Sequence, residues 1–212
     1  MNRWPIEALA ARLAEPLPGP IVASRYAPRG PSPCHYRAAP AGARQAAVLV
    51  LLYPHQGRWH LPLTLRPAHL AEHAGQVSLP GGALEPGETA AEAALREFHE
   101  ELGAREQPIE LLGRLSPIYV EVSNFHVEPW VGLSDRRPDM TPCPFEVESL
   151  LEVPLDGLVD PANFVCGEPG PQGSGQCPHF LWHGYRIWGA TCMILGELVT
   201  LLEELGTKGC RL

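Results

Sequence analysis

The chain has 212 residues, 45% of them hydrophobic, with a formal net charge of -8 and a pI near 5.6, which suits one domain with a sizeable core. The acidic balance excludes a nucleic-acid partner held through phosphate contacts, because no basic tract exists to release counterions. No stretch approaches the roughly 20 apolar residues of a membrane span, glutamates at 7 and 15 interrupt the N-terminus and argue against a signal peptide, and six cysteines without a CxxC spacing read as the reduced thiols of a cytoplasmic protein.

In chain order, residues 6–13 read as a short helix ended by Pro16 and Pro18. Residues 20–44, rich in Pro, Arg and Gly, read as an extended arm. The expected division is therefore a helix and arm over 1–44 and one folded domain over 45–212. Residues 46–52, AAVLVLL, form an apolar run of strand length, and 59–66 alternate Leu61, Leu63 and Leu65 with other residues. The HQG between them is a hairpin turn, while Pro62 demotes part of the second strand to an edge or a bulge. Next comes a glycine-rich turn feeding a helix. Pro86 and Gly87 block earlier growth, Thr89 is the N-cap with Glu92 as its capping-box partner, and Gly103 supplies a left-handed stop.

Beyond that helix, 109–115, 119–122, 125–132 and 150–154 read as strands, and 135–144 as a loop. Residues 156–163 form a turn or short helix, 167–178 a mobile loop, and 180–188 a hairpin. Thr191 is expected to cap a last helix whose Ile194, Leu195, Leu198, Val199, Leu202 and Leu205 make a buried stripe. Strands mixed with two long helices predict an α/β fold with a sheet covered on both faces.

The central helix carries the chemistry. Ala91, Ala94, Leu95, Phe98 and Leu102 fall on a face to be buried. On another side Glu97, Glu100 and Glu101 stand at i, i+3 and i+4, so their carboxylates converge, with Ala90 and Ala93 leaving open space above them. Two such charges about 4 Å apart repel by roughly 4 kcal/mol at an effective dielectric near 20. A merely solvated face would intersperse lysines, yet Lys208 is the only lysine in the chain. Hard divalent cations bound through oxygen relieve that repulsion, and Mg²⁺ characteristically takes a few carboxylates plus phosphate oxygens. Arg96, beside Glu100, can pin its neighbours.

Residues 82–104, GALEPGETAAEAALREFHEELGA, match the Nudix box G(x)5E(x)7REU(x)EE(x)GU through Gly82, Glu88, Arg96, Glu97, Phe98, Glu100, Glu101 and Gly103. Only the final aliphatic is replaced, by Ala104. The chain thus resembles the Nudix hydrolases, which implies an α/β/α sandwich around a mixed β-sheet. Residues 45–205 further resemble the coenzyme A pyrophosphatase branch. The matching segments are Thr64 with Arg66, GQVSLPGG (75–82), VSNFHVEPWVG (122–132), EVESLLEVPL (146–155) and IWGAT (187–191). This chain has Ala71 where the branch has an arginine, Leu79 for a phenylalanine and Pro67 for a small residue.

The resemblance implies metal-dependent hydrolysis of a nucleoside diphosphate linked to another moiety. CoA or acyl-CoA would yield 3′,5′-ADP and (acyl-)4′-phosphopantetheine. ADP-ribose, nucleotide sugars and dinucleotide polyphosphates are the alternative substrates, and a non-catalytic nucleotide sensor on the same fold is a third reading. By the same resemblance Glu97, Glu100 and Glu101, with the Gly81 carbonyl, ligate Mg²⁺ or Mn²⁺. Glu88 reaches Arg96, and a box glutamate such as Glu97 or Glu100, or else Glu146 from the later loop, takes the proton from the attacking water. Arg66 is the expected phosphate clamp, since a guanidinium suits bidentate phosphate binding; an ion pair with Glu72 or Glu85 is the competing role. His73 and Gln76 are placed in the same pocket. Dimers are common among Nudix proteins, which leaves a homodimer open.

Overall fold

In the computed structural model, which describes residues 4–29, 34–36, 38–68, 74–104, 108–167 and 176–208, the apolar run at 46–52 lies in the middle of strand β2 (Arg44–His55). A strand buried on both faces reads as a continuous apolar run, and β2 serves two cores by alternation. Ala47, Leu49, Leu51 and Tyr53 pack on one side, Val50 and Leu52 on the other. It runs parallel to β8 (Phe125–Leu133). Its other edge is antiparallel to β5 (Gly81–Ala83) over 46–48 and to β3 (Arg58–Leu65) over 53–55. The β2–β3 turn is the expected hairpin, with Gln56 and Gly57 both at positive φ.

The outer strands complete one mixed sheet, ordered β1 (Cys34–His35), β7 (Ile118–Val120), β8, β2, β3, β4 (Val77–Ser78). β6 (Glu110–Arg114) pairs with β8, and β9 (Ser149–Pro154) with β3. Pro62 lies at a local edge of β3, as expected. That strand pairs with β9 throughout 60–65, and on its other edge the β2 contacts end at His60 while those of β4 begin at Thr64, so Pro62 sits in a gap where no amide is required.

Helix α3 (Ala90–Leu102) covers one face of the sheet through the core of Ala47, Leu49, Leu51, Tyr53, Ala93, Ala94, Phe98 and Leu102. The other face carries the larger core beneath α5 (Gly189–Lys208). This is the expected α/β/α sandwich. α5 begins at Gly189, so Thr191 lies inside its first turn and not at the cap. Its predicted stripe is buried, but Cys192, Met193, Glu197 and Leu201 are buried as well, because the helix is enclosed nearly all round.

Residues 20–44 are not simply an extended arm. After a 3₁₀ turn (Ile6–Ala8) and α1 (Leu9–Leu13), residues 19–26 form helix α2 (Gly19–Tyr26) against α5, and β1 joins the sheet. Trp4, Ile6, Leu9, Leu13, Val22 and Tyr26 thereby enter the same core as the sheet. Proline at N2 of α2 is compatible with a helix start, where its missing N–H is not needed. The chain between the sheet and α5 forms α4 (Leu155–Val159), then a small antiparallel sheet of β10 (Phe164–Val165), β11 (His179–Trp182) and β12 (Tyr185–Trp188). The loop expected at 167–178 falls mostly outside the described residues.

Candidate active site

The site is built where α3 leaves the sheet. Its start is set by the capping box: the Thr89 side chain accepts from the Glu92 amide, and Glu92 accepts from the Thr89 amide at 2.9 Å. Its end is set by Gly103 at φ 71, where an added Cβ would lie 2.8 Å from the Thr141 carbonyl. The two termini fix which side chains face β5 and the 141–148 loop.

Glu101 lies at the centre of the site. It is only 3% exposed, so it belongs to the helix–sheet interface and not to a solvated patch. Glu97, Glu101 and Glu146 each place a carboxylate oxygen within 4.8 Å of the others. Glu101 Oε2 is buried without a hydrogen-bond partner. Burial first, and then the Glu97 charge, push the Glu101 carboxyl up to about 8, against the opposing pull of the Arg66 charge and a bond to the Gly81 backbone. Glu97 is also raised, mainly by burial, with Glu100 and Glu146 adding to the effect and Arg96 opposing it. Three acid groups crowded this closely, one of them desolvated and with an unpartnered oxygen, form an all-oxygen site suited to a hard divalent cation.

Arg96 organises the other side of the cluster. Its Nε and Nη2 donate to the two oxygens of Glu88 at 2.8 and 3.0 Å, as expected, and Nη2 also donates to the Ala83 carbonyl at 3.0 Å. Nη1 donates to Glu97 at 2.9 Å and to Glu100 at 3.0 Å. Those carboxylates hold Arg96 firmly protonated, and its hydrogen bond lowers the Glu88 carboxyl. Glu88 also accepts from the Glu85 amide at 2.9 Å, so the box glutamate ties the turn to the helix. Gly82 serves close approach, since a Cβ there would overlap the Glu97 carboxylate.

The sequence-derived residues divide accordingly. Glu97 and Glu101 are brought together, and Glu146 joins them from the far loop. Glu100 instead faces Arg96 with its side chain 47% exposed. Ala93, expected above an open patch, is instead fully buried in the core shared by α3 and β2. Gly81 contacts Glu101 through its backbone, in β5 opposite Val48. Arg66 lies near enough for its charge to act on Glu101, and its Nε is buried without a hydrogen-bond partner. The backbones of Arg66 and Gln76 are joined, the Arg66 amide donating to the Gln76 carbonyl at 3.0 Å, so both flank one loop base. His73 lies outside the described residues.

What sequence reasoning missed is the backbone scaffold. The Thr141 and Cys143 amides donate to the carbonyls of Leu102 and Glu101, each at 2.7 Å, and the Glu148 amide donates to the Leu65 carbonyl at 2.8 Å. These bonds bring Glu146 to the end of α3 from 45 positions away, and peptide groups carry no residue-type signal.

Comparison with known proteins adds four findings. The family described as the NUDIX domain matches residues 43–164. The chain is 32% identical over 174 residues to Nudix hydrolase 3 of Caenorhabditis elegans, covering 74% of this chain and 72% of that one. It is 36% identical over 169 residues to the uncharacterized Nudix hydrolase NudL of Salmonella paratyphi B, covering 78% and 84%. A crystal structure of a Nudix hydrolase from M. smegmatis, RenU, aligns with a TM-score of 0.43 at 23% identity, over 56% of this chain and 74% of that one.

Proposed function

The chain belongs to the NUDIX family and is a pyrophosphohydrolase, and from that premise we propose that it cleaves the diphosphate of CoA or acyl-CoA to 3′,5′-ADP and (acyl-)4′-phosphopantetheine, using Mg²⁺ or Mn²⁺. The observation that supports the site assignment best is the buried Glu101 carboxylate, whose Oε2 has no hydrogen-bond partner, within reach of Glu97 and Glu146. Leaving such a charge unpaired is costly, and a cation facing an anionic substrate removes the cost. Glu97, Glu101 and Glu146 would hold the ion, with the Gly81 carbonyl as a further ligand; Glu100, turned to Arg96, would reach it only on leaving that pair. Bound there, a divalent ion neutralises diphosphate charge and lowers the pKa of a coordinated water.

The remaining roles fall to the chain's own groups. Arg66 fixes a phosphate oxygen of the substrate through its guanidinium. Glu146, the exposed member of the cluster, takes a proton from the attacking water as its oxygen bonds to phosphorus; the bridging P–O bond breaks and the second phosphate leaves with the electron pair. Arg96 positions Glu97 and Glu100 and does not touch the reacting atoms.

The branch departures bear unequally on substrate. Leu79 is buried in the larger core, so its substitution alters packing and not ligand contact. Ala71, outside the described residues, motivates the second reading, in which ADP-ribose, a nucleotide sugar or a dinucleotide polyphosphate is the substrate. The test is product mass after incubation of each compound with the purified protein and Mg²⁺ or Mn²⁺. Release of 3′,5′-ADP from CoA at the highest kcat/KM supports the proposal, and far faster cleavage of ADP-ribose overturns the CoA assignment. Tight nucleotide binding without turnover at any metal concentration would indicate a sensor.

A further inference from the structure

The turn that delivers Glu146 carries a second feature that the proposed chemistry leaves unused. The Glu146 and Val147 amides both donate to the Cys143 carbonyl, at 3.1 and 2.8 Å, closing one tight turn. Upstream that turn hangs from the Glu101 carbonyl, and downstream Glu148 is bonded to the carbonyl of Leu65, the residue before Arg66. It therefore bridges from the buried carboxylate to the candidate phosphate clamp. Within it Glu146 joins the carboxylate cluster, while its neighbour Phe145 is 79% exposed, the most exposed large apolar side chain among the described residues. Turn positions of this kind favour Gly, Pro, Asn, Asp or Ser. A phenylalanine is neither required by the backbone there nor packed into either core.

We propose that Phe145 is a substrate-contact residue, its ring covering the flat or apolar group that adjoins the diphosphate. This rests on the reading of the site as a diphosphate-cleaving centre. The diphosphate lies between Glu101 and Arg66 in that reading, so whatever flanks it passes the turn that joins them. An aromatic ring offers such a group contact area at little conformational cost, and stacking on a nucleobase characteristically changes affinity roughly tenfold or more. The flat or apolar group is either the nucleobase or the pantetheine arm.

The experiment is steady-state kinetics of Phe145→Ala and Phe145→Tyr on CoA, acyl-CoA of increasing chain length, and ADP-ribose. In Phe145→Ala, KM rises about tenfold, as expected for loss of a stacking contact, kcat falls by less than KM rises, and the melting temperature does not move. Phe145→Tyr restores KM. An equal rise for CoA and ADP-ribose identifies the base as the group covered; a rise confined to CoA and growing with acyl length identifies the arm. Unchanged KM for every substrate overturns the inference and leaves the site reading intact. If the wild-type protein cleaves none of the panel, Phe145→Trp supplies the readout. Quenching of its added fluorescence by ADP with Mg²⁺, beyond that of the wild type, supports the contact, and an identical response overturns it.

Discussion

Replacing the Glu101 carboxylate with an amide of the same size separates the cost of holding the charge from its use. In the metal-free protein the folded-state carboxyl titrates near 8, against an ordinary 4.5. The folded state therefore keeps a proton that the unfolded chain releases, so the stability tied to this group is fully present below pH 4.5 and is lost as pH rises towards 8. At about 1.4 kcal/mol per tenfold, charging Glu101 in place costs on the order of 4 kcal/mol by the upper end of that range. The Glu101→Gln variant carries no such cost. In EDTA at about pH 8 it should melt above the wild type by roughly 8 °C or more, at about 2–4 °C per kcal/mol for a chain of this length, and the two should converge near pH 5. Mg²⁺ or Mn²⁺ should reverse the order, stabilising the wild type by mass action while leaving the variant unmoved. Turnover should fall by more than about a hundredfold with loss of the metal site. Thermal melts across pH, with and without metal, make the test. A gap independent of pH, or equal stabilisation of both proteins by metal, would refute the reasoning.

Glu146→Gln should lower kcat more than Glu100→Gln, because Glu146 shares the cluster while Glu100 faces Arg96; side-by-side kinetics decide the order. Arg96→Met removes the bonds to Glu88 and the Ala83 carbonyl, and should weaken metal affinity or turnover about 10- to 100-fold, as for other residues that orient ligands, read by metal titration of activity. Gly82→Ala should abolish most turnover yet keep the melting temperature, since the displaced group is the end of the flexible Glu97 side chain. Gly103→Ala should instead destabilise by about 1–2 kcal/mol through its positive φ, with denaturant unfolding as the measure.

Much of this was legible in the sequence because local physics sets it. The capping box at Thr89 and the stop at Gly103 fix α3 from neighbouring residues alone, and the Glu88–Arg96 pair was implied by the resemblance to the Nudix box. The division of the acidic residues was not legible. Helical spacing puts Glu97, Glu100 and Glu101 on one side, but it cannot tell which of them the sheet buries; packing against β2 enclosed Glu101 and left Glu100 outside. Helix α2 was hidden by a Pro- and Gly-rich composition that α5 overrides through contacts on the order of 170 residues apart, and local propensity is a weak prior against such packing. Glu146 was nameable as a candidate base, yet its seat in the cluster depends on amide bonds to Glu101 and Leu65.

The most direct test of the central claim is anomalous diffraction from crystals of the protein soaked in Mn²⁺ with ADP. The account predicts a manganese peak bounded by Glu97, Glu101 and Glu146, with the diphosphate on its open side. A peak elsewhere, or an empty cluster with Arg96 still bridging Glu97 and Glu100 at saturating metal, would contradict it.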